Sequence, residues 1–213
     1  MLLRLKSVME LAELLNKMKI LSLDLSTKTG WAVIEAIQSD VICKELRIID
    51  FDTFQKSEKL INFEAFEFED IGKVLSFIES LCINITNVFH KHSPKAIIIE
   101  QTNSGKYFGL IQKILEWIHY RVLITSLRLL DGRPPIYLAS SEWRKIMDLR
   151  LTKEQKKHNK DIKSGIEKKK VTVKHLAVQK ANELFNLNLK MKDNDKADAI
   201  LLGTAYLKKN GYF

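Results

Sequence analysis

Ile20-Leu21-Ser22-Leu23-Asp24-Leu25-Ser26-Thr27-Lys28-Thr29-Gly30-Trp31-Ala32-Val33 is the stretch on which the reading of the fold turns. Lys19 to Leu25 is an apolar strand interrupted by one carboxylate, Asp24. The turn from Ser26 to Gly30 is polar, and a second apolar run from Trp31 to Ile37 follows, so strand, short turn and strand make a hairpin. A carboxylate inside a strand is costly without a partner, which makes Asp24 the first candidate for function.

Outward from the hairpin the pattern alternates between helix and strand. Upstream, Leu2, Leu5, Met9, Ala12 and Leu15 recur at helical spacing, so residues 1–18 are expected to be a helical appendage, with Met18 an alternative start. Downstream, a third strand is expected over Val41–Phe54 and a helix over Ile71–Phe89, ended by Pro94. Ala96 to Ile99 is continuously apolar and ends in Glu100, as suits a parallel strand buried on both faces. A long helix is expected over Tyr107–Leu129, stopped by Gly132, Pro134 and Pro135, then a short strand over Ile136–Ala139. Ser140 is placed to cap the helix containing Trp143. Leu151 to Lys170, lysine-rich and nearly free of apolar residues, reads as a mobile loop or arm. Helices over Val173–Phe185 and Ala197–Leu207 close the chain, with Asp193 to Asp195 at the entrance of the last. The expected fold is α/β: a mixed sheet flanked by helices in one domain over 19–213, with a basic insertion at about 149–170.

The 213 residues suffice for a core without staples, and 46% hydrophobic with 29% charged residues argues against disorder. No apolar run approaches the roughly 20 residues needed to span a bilayer, and charged residues interrupt any N-terminal signal, so a cytoplasmic protein is expected. Cys43 and Cys82 form no CxxC pair and suggest neither zinc nor a disulfide framework. The net charge of +9 is unevenly spread: Arg144 to Lys192 holds 15 basic and 5 acidic residues, a local +10. A basic segment on a near-neutral body suits a polyanion-binding face, or a solvated lysine-rich surface.

Asp24, Glu100, Asp195 and Asp198 each stand at an element end near the sheet, and the last two share a helix face at i and i+3. Gathered together, they would raise one another's pKa unless a cation neutralised them. Oxygen donors with no His or Cys cluster suit Mg²⁺ or Mn²⁺, and two such ions are the apparatus of in-line phosphodiester hydrolysis. Taken singly, Asp195 could serve only as a helix-terminal charge and Glu100 could simply end a strand in solvent.

The hairpin residues 20–33 resemble the opening of RuvC-type Holliday-junction resolvases, which have the RNase H-like fold. Ala96-Ile97-Ile98-Ile99-Glu100-Gln101 is similar to that family's second-acid strand, and Asp195-Lys196-Ala197-Asp198-Ala199 to its closing acid pair. Glu167-Lys168 before Val171 resembles the lysine-bearing segment that opens the penultimate helix. The resemblance implies that Asp24, Glu100, Asp195 and Asp198 hold two Mg²⁺ ions, replaceable by Mn²⁺, and that Lys168 assists at the scissile phosphate. It places Lys106 and Tyr107, in the loop after the Glu100 strand, at the junction, where an aromatic ring can stack on a base. Arg144, Lys145, Lys168, Lys169, Lys170 and Lys174 are the further DNA-contact candidates.

The expected activity is therefore Mg²⁺-dependent endonucleolytic resolution of four-way DNA junctions, leaving 5′-phosphate and 3′-hydroxyl ends. Paired nicks on a two-fold substrate imply a homodimer, for which Ile114, Trp117, Ile118 and Arg121 are candidate contacts, or else core residues. The rival readings are a related nuclease on flaps, other branches or RNA–DNA hybrids, and a non-catalytic junction-binding protein. The Asp24–Gly30 stretch also resembles the phosphate loop of actin-like ATPases, but 213 residues leave no room for their two domains.

Overall fold

Period-two alternation in the first strand sets the layers of the molecule. The structure, a computed structural model, describes residues 17–26, 28–38, 44–54, 68–101, 109–163 and 170–212. Strand β1 (Lys17–Asp24) pairs antiparallel with β2 (Gly30–Gln38), which pairs antiparallel with β3 (Lys44–Thr53). On its other side β1 runs parallel to β4 (Ala96–Gln101), and β4 parallel to β5 (Ile136–Ala139). The resulting mixed sheet has the order β3-β2-β1-β4-β5.

Six α-helices complete the described chain: α1 (Phe68–His92), α2 (Leu110–Leu129), α3 (Ser140–Ile146), α4 (Lys153–Lys163), α5 (Val173–Phe185) and α6 (Asn194–Lys209). One sheet face carries Leu21, Leu23, Val33, Ile97 and Ile99, clustered with Val74, Ile78 and Ile85 of α1 and Ile114, Ile118 and Val122 of α2. The other carries Ile20, Ala32, Ile34 and Ile98, clustered with Trp143, Ala177, Ala181 and the small-residue side of α6. Side chains alternate along a strand. Asp24 therefore shares its face with Ile20 and Ser22, and Glu100 shares the same face with Ala96 and Ile98. The register Leu23↔Ile99 brings the two acids level at the carboxyl ends of adjacent parallel strands.

Helix α6 lies close over that face because small residues let it. A Cβ on Gly203 would come within 2.8 Å of Ser22 Oγ and of Ile34 Cδ1, and Ser22 Oγ reaches the Ala199 carbonyl at 2.7 Å. Buried Ser22 thus ties β1 to α6 at Ala199, the residue after Asp198.

Several expectations change. Helix α1 is longer than predicted, and its Ile71–His92 stretch is long and apolar enough to cross a bilayer by length and composition, which the sequence reading passed over. Val74, Ile78, Leu81, Cys82 and Ile85 commit one face of it to the core. Lys17 and Met18 belong to β1; residues 1–16 of the expected appendage and Cys43 lie outside the described residues. Ile114 and Ile118 are buried in the core and so are not surface contacts, while Trp117 is 37% exposed. Residues 153–163 of the expected mobile arm form α4, a helix without an apolar stripe that is tied down through Asn159. Ser140 opens α3 but makes no cap hydrogen bond; Ala139 holds the N-cap position.

Candidate active site

The acids that the sheet and α6 bring together form one electrostatic cluster. Asp24 ends β1, Glu100 stands in β4, and Asp195 and Asp198 occupy the first turns of α6. Gly30, the first residue of β2, makes room for this: a Cβ there would collide with the backbone carbonyl of Asp195. The helix start is thus seated on the hairpin that carries Asp24.

Burial raises the Asp24 carboxyl well above the usual range, and the charges of Glu100, Asp198 and Asp195 raise it further. Burial also pushes Asp198 up to about 7; Glu100 and Asp195 add to the rise, and Arg144 and Lys174 oppose it. Three basic side chains of the chain itself lie among the acids. Arg144 Nη2 stands 3.8 Å from Glu100 Oε1 and 3.9 Å from Asp198 Oδ2, with its guanidinium over the Trp143 ring. Lys28 Nζ pairs with Asp195 Oδ2 at 3.0 Å and donates to the Lys192 carbonyl. Lys174 Nζ donates to Asn194 Oδ1 at 2.6 Å and lies 3.9 Å from Asp195 Oδ1.

Among the described residues, Glu100 is held from one side: the Ser140 hydroxyl donates to Oε1, while Oε2 is buried with no hydrogen-bond partner. A buried carboxylate oxygen without a donor is costly and is the kind of atom a cation satisfies. This orphaned oxygen, the raised Asp24 and Asp198, and the all-oxygen donor set fit a hard divalent ion such as Mg²⁺. Among the described residues no group of three Asp, Glu, His or Cys is already arranged to hold one. The four acids share a field rather than a finished cage.

The other sequence candidates divide. Arg144 and Lys174 stand at the acid cluster, whereas Lys145 and Lys170 are exposed on the surface. Lys106, Tyr107, Lys168 and Lys169 lie outside the described residues. Sequence reasoning missed Lys28 and Ser140. Lys28 lay inside the quoted hairpin turn, four residues after Asp24, and that proximity was the available signal. The opening acid pair of α6 is also anchored sideways, since Lys196 Nζ meets Asp52 Oδ1 of β3 at 2.8 Å.

No protein-family profile matches the sequence, and no curated protein matches it. Solved structures do. RuvC of Thermus thermophilus superposes with a TM-score of 0.55 at 14% identity, covering 92% of this chain and 98% of that one. The same organism's RuvC in complex with a Holliday junction substrate gives 0.53 at 11% identity, over 90% of this chain and 96% of the other. The yeast mitochondrial Holliday junction resolvase Ydc2 aligns at 19% identity with a TM-score of 0.47, over 92% and 80%. The two Thermus thermophilus structures, each matched over at least 90% of both chains, show the fold: this chain has the RuvC-type fold.

Proposed function

We propose that this protein is a divalent-metal-dependent endonuclease that resolves branched DNA, with the four-way junction as its principal substrate. What supports the proposal is the electrostatic coupling of Asp24, Glu100, Asp195 and Asp198 where α6 covers the sheet, with Asp24 and Asp198 raised by burial and by their acidic neighbours. Those four residues would hold two Mg²⁺ ions, which when bound supply Lewis-acid polarisation of a phosphodiester and a more acidic water.

The chain's own groups do the rest. Ser140 fixes one oxygen of Glu100 and leaves the other for the ion. Arg144, about one-third exposed, presents a guanidinium whose fork matches a phosphate. Lys28 and Lys174 hold Asp195 from two sides and add positive charge where a scissile phosphate would arrive. Lys168 is assigned to the scissile phosphate, and Lys106 and Tyr107 to the branch point, by resemblance. Hydrolysis in this scheme leaves a 5′-phosphate and a 3′-hydroxyl, and a homodimer delivers two symmetric nicks.

The test is a substrate panel in Mg²⁺: a mobile four-way junction, a flap and an RNA–DNA hybrid of matched length. Paired nicks in the junction, at a rate well above either other substrate, support the assignment. Faster cutting of the hybrid or flap would transfer the activity to the rival substrate class.

A further inference from the structure

Core packing of its described side chains does not explain the place of α4 in the fold. Its sequence, Lys153-Glu154-Gln155-Lys156-Lys157-His158-Asn159-Lys160-Asp161-Ile162-Lys163, has a single apolar residue and a net charge of +3. Eleven residues make a marginal helix in isolation, and lysines three and four apart repel one another. The helix is nevertheless pinned through Asn159. Asn159 is 8% exposed; its amide donates to the Val171 carbonyl at 2.7 Å and accepts from the Val171 N–H at 2.9 Å. This pair of hydrogen bonds imitates a strand pairing and faces α4 inward through Gln155, His158 and Asn159.

On the opposite side Lys153, Lys156, Lys157 and Lys160 are exposed at i, i+3, i+4 and i+7. Val171 leads directly into Thr172, whose side chain caps α5, and the second residue of α5 is Lys174 at the acid cluster. Short, hydrogen-bonded links therefore fix the lysine face relative to the carboxylates.

We infer that the exposed lysine face of α4 is a track for the phosphate backbone of a duplex arm leading away from the acid cluster. The inference rests on the nuclease reading for its partner, but its contacts lie outside the chemistry. From Lys153 to Lys160 the stripe is about 10 Å long at 1.5 Å per residue. That length matches about three phosphates of one strand at 3.4 Å each. A regular row of phosphates also relieves the repulsion that the lysines impose on their own helix.

The test compares the full chain carrying K153Q/K156Q/K157Q with one carrying Arg at the same positions. Binding to a linear duplex and to a four-way junction built from the same arms is followed by fluorescence anisotropy across a salt series. Single-turnover cleavage at saturating protein is measured alongside. The Gln variant should flatten the log K against log salt slope by about 2.7 on both probes, for three phosphates at about 0.9 each. The Arg variant should keep the native slope, and the saturated cleavage rate should be unchanged in both. An unchanged slope in the Gln variant overturns the track. So does an equal loss in the Arg variant, which would make the effect one of folding, or a loss confined to the junction, which would place these lysines at the crossover. A native protein that fails to cut while the slopes behave as described would overturn the nuclease reading and leave the track standing.

Discussion

Asp198 holds its proton up to about pH 7 because burial and two neighbouring acids oppose its charge, only partly offset by Arg144 and Lys174. The ordinary value is 3.8, so between there and about 7 the folded protein binds a proton that the unfolded chain has released. The contribution of Asp198 to stability is therefore greatest below that window and is lost as pH rises through it, at up to about 1.4 kcal/mol per pH unit. Thermal melts in a chelator should show this decline, and Asp198→Asn should flatten it. Mg²⁺ should raise the melting temperature more at about pH 8 than at about pH 5, because protons compete with the metal for the same carboxylates. Ser140 makes a second prediction: Ser140→Ala leaves Glu100 without its hydroxyl donor and should lower Mg²⁺ affinity or the cleavage rate by about 10–100-fold, read from a metal titration of cleavage. Asp24 was legible in the sequence because a carboxylate in an apolar strand is an anomaly that needs a reason. Ser140 was not, because a serine before a helix reads as a cap and its actual partner is 40 positions away.

Among the elements, the docking of α6 on the β1–β2 hairpin decides whether the acids meet. Gly30 supports the carbonyl of Asp195, so Gly30→Ala must push the start of α6 away or deform the hairpin. It should destabilise the fold by about 1–3 kcal/mol, as overpacking does, and reduce cleavage more than that loss explains. Denaturant melts and single-turnover rates on the same variant separate the two effects. The strands were readable because Asp24 interrupts an apolar run and Glu100 ends another, whereas their common face follows from the β1–β4 register. Helix α4 escaped the same reasoning, since periodicity reports a helix only through its apolar residues and α4 has almost none. What orders it is a side-chain to backbone contact between Asn159 and Val171, which no local pattern announces.

For the molecule as a whole, the two sheet faces have separate roles: α1 and α2 close an apolar core, while α6 closes the face that carries the acids. The α1/α2 side keeps Leu75, Ile83, Trp117 and Tyr120 exposed, and the proposed homodimer would use this face. Sedimentation should then report twice 24.7 kDa, and Trp117→Lys should return the protein to that single mass. The basic segment seen in the sequence divides in the structure into residues at the acids, Arg144 and Lys174, and a separate surface helix. Whether these carboxylates cut DNA is decided by Mg²⁺-dependent cleavage of a synthetic four-way junction by the native protein and by Asp24→Asn. The native protein should make paired nicks, and the variant should bind the junction without cutting it. Equal cutting by both, or none by the native protein, would contradict that role.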